Sequence, residues 1–101
     1  MKVQMHSIKF DADQKLIDFI QKKVDKLETF FDRIVDGEVY MRLDKNDNQG
    51  NKIIEILLNL PGSQLFAKEV APTFEEATDR ATDALRRQLK KHKEKQIARQ
   101  I

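Results

Sequence analysis

The side chains best placed for chemistry in this sequence are lysines and arginines set at helical spacing. Within residues 73–99, TFEEATDRATDALRRQLKKHKEKQIAR, the cations Arg86, Arg87, Lys90, Lys91, Lys93, Lys95 and Arg99 follow one another against a single acid, Glu94. Bases near a helix C-terminus complement the macrodipole, but that effect covers about the last turn only. Most of these bases also have no acid four residues upstream to pair with. An unpaired basic run on one helix is the electrostatic footprint of a polyanion-binding surface, nucleic acid above all.

A second basic line lies near the start of the chain. At about 100° per residue, Lys15, Lys22, Lys26 and Arg33 fall in one narrow sector, with Lys23 at its border. Arg80, Arg87 and Lys91 form a matching line on the later helix. If the two edges border one cleft, the chain carries a positive channel shaped for a phosphate backbone.

Other chemistries are poorly served. There is no cysteine, so no disulfide or thiolate metal site forms. The two histidines, His6 and His92, are far apart, and no nucleophile–base pair, carboxylate pair or phosphate loop is evident. We expect no enzyme, cofactor or small-molecule substrate. His6 reads as a solvent-side strand residue. Asp44, Asn46, Asn48 and Glu55 imitate a calcium loop, but the glycine is displaced to Gly50 and strands flank it, so no metal is expected. Tyr40 reads as sheet surface, since no second aromatic sits beside it at stacking-platform spacing.

The elements that position the basic lines follow from apolar period. Residues 1–10 read as a strand, with Val3, Met5 and Ser7 on one face. Asp11 and Asp13 offer N-caps, Asp13 the better placed, for a helix over 14–31 with Leu16, Ile17, Ile20, Val24, Leu27 and Phe31 as its buried stripe. Residues 35–37 read as an exit turn, 38–43 as a half-buried strand and 44–51 as a polar hairpin connection. Residues 52–60 read as the central strand, with Ile54, Ile56, Leu58 and Leu60 on one face and Ile53 and Leu57 on the other. Pro61 and Gly62 occupy the middle of a type II turn before the returning strand, 64–71. Pro72 stops that strand; Thr73 and Glu76 have the spacing of a capping box, and Phe74, Ala77, Ala81, Leu85, Leu89 and His92 form the last apolar stripe. The order β-α-β-β-β-α predicts an α+β two-layer sandwich: antiparallel strands in a four-stranded sheet, with both helices side by side on one face.

Length and charge agree with a single domain spanning residues 1–101. The net charge of +2 conceals a dipole. Residues 1–83 carry 12 Lys and Arg against 16 Asp and Glu, a net −4, whereas residues 84–101 carry 7 against 1, a net +6. Such asymmetry orients an approaching polyanion. No secretion signal or stretch of ~20 apolar residues is present, so a cytoplasmic chain without membrane contact is expected.

The segments KVDKLETFF (residues 23–31), the Leu-Pro-Gly turn before LFAKE, and FEEATDRATDALRRQLKKHKEK carry a family likeness. On them the sequence resembles the ribosome hibernation promoting factor family, which includes the ribosome-associated translation inhibitor. Within Ala84 to Lys93, the run from Leu85 matches the last nine places of the family's aliphatic-Asp-Lys-Leu-Glu-Arg-Gln-Leu-Arg-Lys-Tyr-Lys pattern, with Arg86 for the usual acid and His92 for the usual Tyr. The resemblance implies a double-stranded RNA-binding-domain-like fold. It also implies binding to the small ribosomal subunit and its ribosomal RNA in the decoding channel, contacted by bases of the two helices. The chain looks like a short form, without the dimerisation domain of long members, and a monomer when free. A generic domain binding RNA or an acidic protein is the alternative.

Overall fold

The structure, a computed structural model, describes residues 1–44 and 51–99. Strand β1 (Lys2–Ser7) leads through a loop to helix α1 (Gln14–Asp25), which tightens into a 3-10 turn (Lys26–Thr29). Strands β2 (Asp36–Leu43), β3 (Lys52–Leu60) and β4 (Ser63–Ala71) follow, and helix α2 (Phe74–Arg99) closes the chain. The sheet runs β1-β2-β3-β4.

The expected antiparallel meander is found for β2, β3 and β4. β1 departs from that expectation and pairs parallel to β2, Met5 opposite Val39. The reason is connectivity: α1 is the crossover between β1 and β2, and a crossover of that length returns the chain in the same direction. β2 also begins earlier than expected. Gly37, read as a turn residue, lies inside the strand, where a Cβ would stand 3.1 Å from the Leu57 carbonyl oxygen. Gly62 has φ +72°, the backbone its position in a type II turn needs. The predicted connection over 44–51 falls mainly on residues outside those described; Asp44 N–H donates to the Asn51 carbonyl at 2.8 Å at its base.

One apolar cluster joins both helices to one face of the sheet. Ile20 and Val24 from α1, Val39 and Met41 from β2, Ile54, Ile56 and Leu58 from β3, and Ala77, Ala81, Leu85 and Leu89 from α2 have no exposed surface. The larger aliphatic residues each contribute about 1.5–3 kcal/mol on burial. Thr78 and Thr82 also lie in the α2 stripe, which apolar counting alone misses. The Thr82 hydroxyl donates to the Thr78 carbonyl at 2.9 Å, so its burial leaves no lost hydrogen bond.

Caps set where the helices begin. The Asp13 carboxylate accepts from Leu16 N–H at 2.8 Å, and the Thr73 hydroxyl accepts from Glu76 N–H at 3.1 Å. The capping box is only half made, because Glu76 turns forward to pair with Arg80 at 2.9 Å. No helix among the described residues is long and apolar enough to cross a membrane.

Candidate nucleic-acid interface

Helix α1 ends at Asp25, so the ideal helix projected to Arg33 does not exist. Arg33 follows the 3-10 turn, in a further turn outside either helix. Lys15, Lys22 and Lys26 remain exposed, with Lys15 and Lys22 across the helix from the buried Ile20 and Val24. Neither they nor Arg33 pair with an acid among the described residues.

Helix α2 carries its cations on two flanks. On the edge beside β4, Arg80 donates to the Val70 carbonyl at 3.1 Å and the Gln88 amide to the Phe66 carbonyl at 3.0 Å. On the other flank, Asp79 accepts a salt bridge from Lys23 of α1 at 2.8 Å. Arg80 therefore does not face α1. The expected line of Arg80, Arg87 and Lys91 does not wall a shared cleft, because α2 is rotated to rest that line toward solvent and β4. The residues lining the actual interhelical groove include Lys23, Lys26, Phe30, Asp79, Asp83 and Arg86, around a cavity of about 200 Å³.

That groove is not a uniformly positive channel. Arg86 pairs with Asp83 at 2.9 Å, and Arg87 pairs with the same carboxylate. The Arg86 hydrogen bond, with Arg87 beside it, holds the Asp83 carboxyl below its ordinary value of 3.8. The spacing of Asp83 three and four residues before two arginines was visible in the sequence; the Lys23–Asp79 pair, which needs both helices, was not.

The unpaired cations instead crown the outer side of the helical layer. Lys15 and Lys22 stand on α1, Lys26 at the start of the 3-10 turn on the rim of the groove, and Lys90, Lys91, Lys93 and Lys95 on α2, all exposed and without an ion-pair partner among the described residues. His92 points inward and meets Phe31 edge-on, ring centroids 5.3 Å apart, fastening the basic end of α2 to the turn after α1. Phe30, next to Phe31, is the residue that pattern reading overlooked: its neighbour is 6% exposed and it is 44% exposed. Two successive phenylalanines cannot both join one helical stripe, and that was the available signal.

Tyr40 lies on the opposite, open face of the sheet. Its hydroxyl donates to Glu38 at 2.6 Å and its ring stacks on His6 with centroids 4.7 Å apart. The hydrogen bond to Glu38 raises the phenol above its ordinary value of 10.0. Among the described residues no three His, Asp or Glu side chains are grouped to hold a metal ion.

A mixed four-stranded sheet, roofed on one face by two helices that carry lysines unpaired among the described residues, defines a two-layer α+β domain. Residues 3–97 match the family described as Sigma 54 modulation protein / S30EA ribosomal protein, and the chain belongs to it. It is 36% identical over 100 residues to the ribosome hibernation promoting factor of Azotobacter vinelandii, covering 99% of this chain and 90% of that one. The factor of that name from Escherichia coli is 28% identical over 95 residues, covering 94% and 96%. Among solved structures, a ribosomal subunit interface protein from Coxiella burnetii superposes with a TM-score of 0.82 at 25% identity, covering 92% of this chain and 98% of that one.

Proposed function

We propose that this chain is a ribosome-associated hibernation factor. In this reading it binds the small ribosomal subunit near the decoding channel, excludes translation ligands by occupying their space, and holds ribosomes idle. Residues 1–101 act as a single ribosome-binding domain, monomeric when free and placed in the cytoplasm with its partner.

The observation that carries the reading is the outward layer of unpaired lysines over both helices. Lys15, Lys22, Lys26, Lys90 and Lys91, continued by Lys93 and Lys95, meet phosphates and displace counterions, which gives affinity without reading sequence. Arg33 extends the surface beyond α1. Lys23, Arg86 and Arg87 are held by acids on exposed ion pairs, which open at little cost to a competing phosphate. Arg80, tied to Glu76 and to the β4 backbone, contributes least. Folded RNA is recognised mainly through its shape, and a rigid two-helix roof suits that mode.

The test is co-sedimentation with purified small subunits across a salt series. The double variants Lys22→Ala with Lys26→Ala, and Arg87→Ala with Lys91→Ala, are expected to bind more weakly. The slope of log affinity against log salt should become shallower by about one unit per lost phosphate contact. Full retention of both variants at every salt concentration removes the helical roof as the interface.

A further inference from the structure

The interhelical groove has a composition that phosphate binding does not explain. Its rim is basic, with Lys26 and Arg86, yet Asp79 and Asp83 line it beside an aromatic ring. Phosphate binding has no use for these carboxylates, which are paired to Lys23, Arg86 and Arg87 and still keep oxygen lone pairs free. They accept hydrogen bonds from a neutral donor, such as the exocyclic amino group of a nucleobase. Phe30 is 44% exposed here, with the Arg86 guanidinium carbon 5.9 Å from its ring centroid and Arg86 itself steadied by Asp83 at 2.9 Å.

We propose that this groove is a base-binding site: an unpaired, amino-bearing base of the bound RNA stacks on Phe30 and donates to Asp79 or Asp83. The inference rests on the RNA-binding reading above and adds a subsite to it. Apolar ring, acceptor carboxylates and basic rim match the three parts of a nucleotide: π-face, amino group and phosphate. A duplex, whose bases are already stacked, offers no face to the ring; an unstacked base does. The open groove, about 200 Å³, has room for one ring system.

The chain contains no tryptophan, so Phe30→Trp supplies a single fluorescent reporter at the site. Wild type, Phe30→Ala and Phe30→Trp are titrated with purified small ribosomal subunits over a salt series, with circular dichroism to compare the folds. Stacking predicts that Phe30→Ala weakens binding about tenfold or more while the salt slope stays that of wild type. Phe30→Trp keeps its affinity, and its emission is quenched on binding. Phe30→Ala binding within twofold of wild type, or Phe30→Trp emission unchanged by bound subunits, overturns the base site and leaves the lysine roof intact. A shallower salt slope in Phe30→Ala assigns the ring to holding Arg86 and also overturns stacking. Failure of the wild-type chain to bind small subunits overturns both readings.

Discussion

Asp83 shows how one residue sets the charge that the helical layer presents. Its carboxylate holds Arg86 and Arg87 at once, so two cations on α2 are masked by a single acid. Asp83→Asn frees both, and a steeper dependence of small-subunit binding on salt is the expected result in the sedimentation assay. The same residue makes a pH prediction. Its folded-state carboxyl titrates below 3.8, so its contribution to stability is present above that value and disappears as pH falls through the lower folded value. Thermal unfolding of wild type and Asp83→Asn should therefore differ near neutral pH and converge in strong acid. A difference that persists unchanged at the lowest pH would refute the assignment. Tyr40 works in the opposite direction: its phenol is raised by Glu38, so its contribution is present below pH 10 and lost as pH rises through its folded value.

At the scale of elements, α2 depends on where it starts. Thr73 satisfies the Glu76 N–H, while the Glu76 side chain is committed to Arg80. Thr73→Ala should cost about 1 kcal/mol. It should appear as a lower denaturation midpoint with an unchanged dependence on denaturant. Affinity for small subunits should stay at the wild-type level, since the cap lies at the acidic end of the helix. A change in affinity without a change in stability would mean that the start of α2 touches the partner directly. α1 behaves differently at its end. The chain tightens into a 3-10 turn at Lys26–Thr29, which turns Leu27 and Phe31 into the core and leaves Phe30 outside. The 3.6-residue projection already put Leu27 and Phe31 in the buried stripe and left Phe30 off it; what it could not give is the 3-10 turn itself, where the period changes.

The whole molecule measures 49 × 25 × 19 Å, and α2, about 39 Å long at 1.5 Å per residue, supplies most of its length. The buried stripe of α2 ends at Leu89. The cations beyond it therefore stand past the apolar contact with the sheet, where a large partner can reach them. The open face of the sheet exposes Phe66 and Val70, but it intersperses them with Lys68 and the Arg42–Glu55 ion pair at 2.8 Å. On that face Leu57 pairs with Phe66 and Ile53 with Val70, and the charged Glu55–Lys68 pair separates the two apolar couples. Sedimentation velocity should show the free chain at its monomer mass of 11.8 kDa at micromolar concentration. A concentration-dependent dimer would make the sheet face an interface.

Local pattern determined much of this protein. Period-two and period-3.6 hydrophobicity located the six elements, Asp13 and Thr73 marked the helix starts, and Pro61-Gly62 marked the tight turn, because each of these depends on neighbours within a few residues. The strength of the basic run on α2 and its family likeness were equally legible. Tertiary structure alone decided the direction of β1, the rotation of α2 about its axis and the Lys23–Asp79 bridge. These depend on how the two helices settle on the sheet. A helix can satisfy its own hydrogen bonds in any rotation, and only packing against a second surface selects which flank meets its neighbour.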